Sequence, residues 1–362
     1  MIKRELPSEY IAMTPRYMNY LNRDIWSEHL QPATWKAGDT ERKVGICYRG
    51  SYTRDLDQKS YRLTIYNGAD LQDFAEFHLN AEYLDPSFIR NKLSMDFFGK
   101  LGVSAPSAEP IRLYMNGTYE GVYLRLESVD RYFLRARGLP DGAIYYAIRN
   151  NANFSLLSED KEIKKRLESG YYRKYGVKED DGYVRELIYK INSVPRPDFR
   201  EQIVRYIDVD NYIRWLAGVV CTQNYDGFTQ NYAMYRNGET GLFAMIPWDY
   251  SGTWGRNYKA KPMDFDFVPI TGFNTLTARI LDVAEFRQAY RKKMEEVLES
   301  AFTVRELEPV IRRWHERLRP HVLEDPYKAK SISDFDREPE RMIEFIHKRN
   351  RFLRDSLSEL DE

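Results

Sequence analysis

Short runs of alternating hydrophobic and polar residues dominate the first part of the chain, as is typical of half-buried β-strands. Residues 60–66 alternate clearly, residues 44–49 have strand composition, and residues 77–80 form a third, shorter run. We therefore expect strands at these three positions.

A helix and a hairpin are predicted next. Residues 86–98 begin at a proline and carry apolar side chains at helical spacing. Residues 111–115 and 118–124 are two strand-like runs joined by Asn116-Gly117, which is a strong signal for a hairpin with a type I′ turn. Strands, one helix and a strand pair follow one another in the order found in the N-terminal lobe of a protein kinase.

The second half of the chain changes to helical periodicity. Asp208 or Asp210 can cap a helix whose apolar face reaches Val220, and residues 232–246 predict a second hairpin with Asn237-Gly238 at its turn. Charged segments at 155–200 and 275–360 are expected to be mainly helical.

The pattern as a whole predicts an α+β protein with a strand-rich region over residues 1–145 and a region over residues 146–362 that contains the C-terminal helices. Equal numbers of basic and acidic residues, 55 of each, give a formal charge of zero, which argues against a nucleic-acid-binding protein. Cys47 and Cys221 lie in apolar stretches, so a disulfide framework is not expected. The chain has neither a long apolar run nor a signal-peptide pattern over residues 1–7. We therefore expect no membrane association and cytoplasmic synthesis.

Three polar residues stand out as candidate chemistry. Asp226 and Asn231 are five positions apart and follow the predicted helix, whereas Asp249 follows the second hairpin. Protein kinases place an Asp and an Asn in a catalytic loop, then a hairpin, then a metal-binding Asp. In this interpretation Asp226 accepts the proton of the acceptor hydroxyl, and Asn231 and Asp249 hold Mg²⁺. The alternative is purely structural, with Asp226-Gly227 as a turn and Asp249 as a strand-end cap.

A kinase also needs groups that bind the nucleotide. Lys59, which opens a predicted strand, is the preferred phosphate partner, and Arg49 and Arg90 are alternatives. Glu127 could pair with the lysine or lie beside the adenine. Each of these side chains could equally be an ordinary surface residue.

Aromatic residues are candidates for stacking on a purine. We consider Trp248 with Tyr145 or Tyr146, although buried aromatic residues more often belong to the core. Neither G-x-G-x-x-G nor the Walker A pattern is present, so the usual glycine-rich phosphate loop is missing.

Several segments together resemble the spore coat protein H (CotH) kinase family. They are residues 49–51, 59–63, 78–87, 90–93, 116–124, 224–226 and 247–250. The resemblance covers almost the whole chain, and on its pattern Asp226 and Asp249 match the two catalytic aspartates.

The resemblance implies an atypical protein-kinase-like bilobal fold, with a strand-rich N-lobe and a helix-rich C-lobe. It further implies phosphorylation of serine residues in other spore coat proteins with ATP and Mg²⁺, a reaction needed for assembly of the outer spore coat. It also implies synthesis in the mother cell and assembly of the protein into the spore coat. Serine-rich, basic coat proteins are the expected substrates. One position departs from the family pattern, since Ser251 stands where many members carry a second acid.

Two other functions use the same residues. The chain could be a structural coat protein whose kinase-like core only binds partners, or an enzyme that transfers AMP rather than a phosphoryl group.

Overall fold

The computed structural model describes residues 5–66 and 74–361. The expectation of no signal peptide rests partly on residues 1–4, which lie outside the described residues. The chain forms two compact units, and each unit is discontinuous in sequence. Unit 1 comprises the described parts of Met1–Lys92, Pro106–Ser128 and Pro309–Glu340, and unit 2 comprises those of Leu93–Ala105, Val129–Glu308 and Arg341–Glu362.

Seven strands of unit 1 close into a barrel in the order β1-β2-β3-β4-β5-β7-β6. Their bounds are β1 Ser8–Ala12, β2 Gln31–Ala37, β3 Thr40–Arg49, β4 Ser60–Tyr66, β5 Phe74–Asn80, β6 Ala108–Met115 and β7 Thr118–Glu127. Neighbouring strands are antiparallel except at the closure, where β1 runs parallel to β6. The three strands expected over residues 44–49, 60–66 and 77–80 are present as β3, β4 and β5. The strand-rich character is confirmed, whereas β1, β2 and the closure were not predicted.

The barrel interior is filled by apolar side chains from many of its strands. Ile46, Leu63, Leu79, Ile111 and Leu113 have no exposed surface. Burial on this scale is what holds a small barrel together.

The predicted hairpin turn is confirmed between β6 and β7. Asn116 has φ 49° and Gly117 has φ 85°, and positive φ at both central residues defines the type I′ turn.

A buried carboxylate fixes a late segment of the chain to β7 within unit 1. Asp325 is fully buried, and its side chain accepts hydrogen bonds from the backbone N–H of Val122 at 2.8 Å, Tyr327 at 2.9 Å and Lys328 at 3.0 Å. Gly121 makes this approach possible, because a Cβ atom there would lie 2.3 Å from Asp325 Oδ2.

Ten α-helices are found in the described residues. They are α1 Pro15–Arg23, α2 Arg90–Lys100, α3 Arg131–Ala136, α4 Asp181–Ser193, α5 Arg196–Ile203, α6 Val209–Thr222, α7 Thr275–Leu281, α8 Ala284–Glu299, α9 Val304–Leu323 and α10 Ile332–Asp355. Short 3₁₀ helices occupy Thr53–Asp55, Lys178–Asp180, Asp226–Phe228, Ala329–Ser331 and Ser356–Leu360.

The helix expected from residue 86 begins only at Arg90. The Asp85 carboxylate accepts hydrogen bonds from the N–H of Ser87 and Arg90, and Phe88 has φ 61°. A left-handed residue cannot belong to an α-helix, so this turn delays the start of α2.

Unit 2 contains a four-stranded antiparallel sheet in the order β11-β10-β8-β9. The strands are β8 Ile144–Ala147, β9 Tyr171–Tyr175, β10 Tyr232–Arg236 and β11 Phe243–Pro247. Helix α6 is largely buried and packs against β11 and α8. Among the described helices, none combines the length and the apolar character needed to cross a membrane.

Candidate active site

Helix α6 delivers the first candidate residue. The helix is capped at its start by Asp208, whose side chain accepts from Asn211 N at 2.9 Å, and at its end by Gln223 in the left-handed conformation. The Asn224 side chain then accepts a hydrogen bond from Gly227 N at 3.1 Å. The resulting turn begins the short 3₁₀ helix Asp226–Phe228, so Asp226 has a defined position directly after a buried helix.

The hairpin of β10 and β11 positions the other two candidates. Tyr232 pairs with Pro247, so Asn231 and Asp249 flank the same end of the hairpin. Both have left-handed backbones, with φ 57° and φ 56°. Asn and Asp adopt this conformation more readily than most other non-glycine residues, so both residue types suit these positions.

Asp226 and Asp249 lie close enough to interact electrostatically. Burial raises the pKa of the Asp226 carboxyl above its usual range, and the negative charge of Asp249 raises it further. Both side chains are partly exposed, and in the described part of the chain neither forms an ion pair with a basic side chain. Two such carboxylates form a site that a cation would stabilise.

Ser251 lies next to this pair. Its hydroxyl donates to Asp249 Oδ1 over a long distance of 3.4 Å. Two residues after Asp249, the chain therefore offers a neutral hydroxyl to the same carboxylate.

The donor set fits magnesium rather than zinc. No cluster of three or more His, Cys, Asp or Glu side chains suitable for a metal occurs within residues 5–66 and 74–361. Magnesium does not need one, because it is usually bound by one or two carboxylates together with water and substrate phosphates. Asp226, Asp249 and the Asn231 amide oxygen offer oxygen ligands of this kind.

The candidate phosphate partners belong to unit 1 and already have hydrogen-bond partners there. Lys59 Nζ donates to the carbonyl oxygens of Arg54 and Leu56, each at 2.6 Å. Arg49 donates to Asn80 Oδ1. Pairing of β3 with β4 places Arg49 opposite Ser60, beside Lys59 in the sequence.

Arg90 and Glu127 are also engaged within unit 1. Arg90 is buried and forms ion pairs with Asp85 and Glu338, so its position is that of a structural residue. Glu127 accepts a hydrogen bond from Ser107 N at 2.8 Å.

Trp248 stacks on Tyr146 rather than on Tyr145. The ring centroids of Trp248 and Tyr146 are 4.5 Å apart with an interplanar angle of 21°, and Tyr146 Oη accepts from Val129 N at 2.8 Å. Tyr145 directly precedes Tyr146 in β8 and therefore points to the other face of the sheet. There its hydroxyl donates to the Asp180 carbonyl at 2.6 Å.

The sequence pattern assigned no role to two residues that shape the candidate site. Asn224 shapes the turn before Asp226, and Thr229 donates to Asn150 Oδ1 at 3.0 Å. An Asn three positions before a Gly is a turn signal, so Asn224 was detectable. The hydrogen bond between Thr229 and Asn150 joins segments that are far apart in the sequence, so no local sequence pattern indicates it.

A family model described as CotH kinase protein matches residues 46–353, and the chain belongs to this family. It is 50% identical over 354 residues to the inner spore coat protein H of Bacillus subtilis strain 168, covering 98% of both chains. An inner spore coat protein H-like protein of the same strain is 27% identical over 292 residues, which cover 78% of this chain and 80% of the relative.

Among solved structures, a proinflammatory kinase of Helicobacter pylori, CtkA, aligns with 81% of this chain and 95% of its own. The sequence identity is 10% and the TM-score is 0.30, which is too low to establish a common fold.

Proposed function

We propose that this protein is a Mg-ATP-dependent protein serine kinase with an atypical bilobal kinase-like fold, and that its substrates are spore coat proteins. Membership of the CotH kinase family supports the reaction class, and the identity to an inner spore coat protein supports the setting. The observation that carries the proposal is the pair Asp226 and Asp249, two neighbouring carboxylates that no basic side chain of the described structure neutralises.

Each residue of the pair has a role that its position allows. Asp226 is partly buried with a raised pKa, so its carboxylate is a better proton acceptor than an ordinary aspartate. It would orient the acceptor serine hydroxyl and take its proton. Asp249 and Asn231 would hold the metal. Mg-ATP, when bound, supplies the phosphoryl group.

A positive charge is still needed for the phosphates. Lys59 is the candidate, and its two hydrogen bonds to main-chain carbonyls would have to be exchanged for phosphate contacts. Arg49, at the end of the neighbouring strand, is the alternative. Trp248 and Tyr146 offer a paired aromatic surface for the adenine, and their stack would have to open.

Serine-rich, basic coat proteins are the proposed substrates. We further propose that the protein is made in the mother cell and becomes part of the spore coat, where its relative is named as an inner coat protein.

Transfer of label from ATP tests the proposal. The full chain is incubated with γ-³²P-ATP, Mg²⁺ and a serine-rich basic peptide. Asp226→Asn and Asp249→Asn should each lower transfer by about 10²–10⁴-fold, whereas the exposed control Asp198→Asn should leave it unchanged. Transfer by either site variant at the wild-type rate would contradict the assignment.

Mass spectrometry of the product separates the two transfer reactions. An added phosphoryl group supports the kinase, whereas an added AMP would replace it with the AMP-transfer reaction on the same residues.

A further inference from the structure

A cavity lies within unit 2, on the face of the sheet that carries Tyr145. Its volume is about 490 Å³, and its walls come from β8, β9, the start of α4 and the loop before β9. A volume of this size is typical of ligand pockets. No residue of the candidate active site other than Tyr145 lines it.

The lining carries an excess of positive charge. Arg149, Arg166 and Arg173 line the cavity, against two acidic residues. Arg173 is neutralised by Asp181 at 2.9 Å. Arg149 is exposed and has no acidic partner within the described residues.

Glu168, the other acidic residue, does not remove this excess. It is buried and forms ion pairs with both Arg166 and Arg185, each at 3.0 Å. Burial by itself would raise its pKa, but hydrogen bonds from Arg185, a backbone N–H and Arg166 outweigh this and lower the pKa to about 2. The single carboxylate of Glu168 is thus shared by two arginines. Arg149 and Arg166 therefore still have guanidinium N–H groups that could donate to a bound anion.

The cavity is connected to the candidate catalytic loop. Arg149 and Asn151 line it, and Asn150 between them accepts the hydrogen bond from Thr229. The same β8 strand accepts from Asn231 N through the Ala147 carbonyl at 3.0 Å. A polypeptide bound in the cavity would therefore lie against the segment that positions the catalytic residues.

We propose that this cavity binds a phosphoserine within a polypeptide segment, so that a coat protein that already carries one phosphate is held for further phosphorylation. The inference rests on the proposed function, since that reaction makes the phosphoserine. Guanidinium groups bind phosphate with paired hydrogen bonds. The cavity volume of about 490 Å³ exceeds what a phosphate group alone would fill, which leaves room for the residues that flank a phosphoserine.

Binding of a labelled phosphoserine peptide to the full chain tests the inference. Fluorescence anisotropy is measured without ATP or Mg²⁺, so that no transfer occurs, and compared with the same peptide without its phosphate. The phosphopeptide should bind at least about tenfold more tightly. Arg149→Gln and Arg166→Gln should each lower the affinity for the phosphopeptide about tenfold. The exposed control Arg205→Gln should leave that affinity unchanged. Thermal melts of the three variants verify that they fold.

Equal affinity for the two peptides, or wild-type affinity in both cavity variants, would overturn the inference. The inference would also be overturned, in favour of a nucleotide site, if ATP displaced the phosphopeptide and Arg149→Gln weakened the binding of ATP as much as that of the phosphopeptide. Because binding is measured without transfer, its failure is distinguishable from failure of the proposed kinase reaction, which the label-transfer assay tests separately.

Discussion

At the scale of single residues, the Asp226 and Asp249 pair has opposite effects on stability and on the proposed activity. Burial and the neighbouring charge of Asp249 raise the pKa of Asp226, so keeping both groups ionised costs folding free energy. Proteins accept such costs mainly where the groups are needed for function.

The cost of ionised Asp226 predicts a stabilised but inactive variant. Asp226→Asn removes the buried charge, so we expect a higher melting temperature than wild type at neutral pH together with the loss of transfer. The folded-state pKa is raised above the unfolded value, so the wild-type penalty is fully present above the folded pKa. It disappears as pH falls below the unfolded value of about 4.

Thermal melts of both proteins between pH 3.5 and pH 8 measure this difference. A variant that melts below wild type at neutral pH, or a difference that grows as the pH falls, would contradict the assigned repulsion. The exposed Asp198→Asn serves again as the control and should show neither change.

At the scale of secondary-structure elements, α6 and the hairpin after it are what single out the candidate site in the sequence. The N-cap Asp208 of α6, its apolar face and the hairpin after it each leave a local signal in the sequence, so Asp226, Asn231 and Asp249 could be singled out together. The sheet face on which Tyr145 lies could not be predicted from the sequence. A shift of one residue in the register of β8 would place Tyr146 on that face instead.

Loss of the α6 cap should weaken unit 2. Asp208→Ala leaves Asn211 N without its side-chain acceptor, and we expect a loss of about 1 kcal/mol in unfolding free energy. Asp210→Ala is a matched control, since Asp210 is an exposed residue of the same first turn whose surface ion pair with Arg214 contributes little. Urea unfolding of both variants measures the comparison, and an equal loss in the two would contradict the capping role.

The contact between β7 and Asp325 can be tested in the same way. Gly121→Ala adds a left-handed penalty and a collision with the Asp325 carboxylate, since Gly121 has φ 106°. Gly117→Ala, at φ 85° with open space around its Cβ position, adds only the backbone term of about 1–2 kcal/mol. In urea unfolding we expect Gly121→Ala to lose more unfolding free energy than Gly117→Ala. Equal losses would show that the Asp325 side chain moves aside at little energetic cost.

At the scale of the whole molecule, ligand binding separates an enzyme from a structural coat protein with a kinase-like core. Mg²⁺ and ATP together at about 100 times their dissociation constant should stabilise the folded chain by about 2.7 kcal/mol. The effect should require the metal and should be lost in Asp249→Asn. Thermal shift measurements with ATP, with and without Mg²⁺, check this, and the absence of any metal-dependent shift would favour the structural protein.

Much of the secondary structure was visible in the sequence, but its assembly was not. The Asn116-Gly117 turn is dictated by local conformational preferences, so the hairpin could be predicted. The closure of the barrel depends on β1 pairing with β6, about 100 residues away, and hydrophobic periodicity carries no information about partners at that distance. Lys59 shows the same limit, because only the folded loop shows that main-chain carbonyls already hold its ammonium group.

The position of Asp325 also has a consequence for synthesis on the ribosome. The N-H of Val122 emerges early, but its buried acceptor arrives only when the chain has been made past residue 325. At about 5–20 residues per second, the interval is on the order of tens of seconds. During that time the nascent barrel lacks a segment of its own unit, and its exposed surface is available to chaperones, or to other nascent chains on the same messenger RNA.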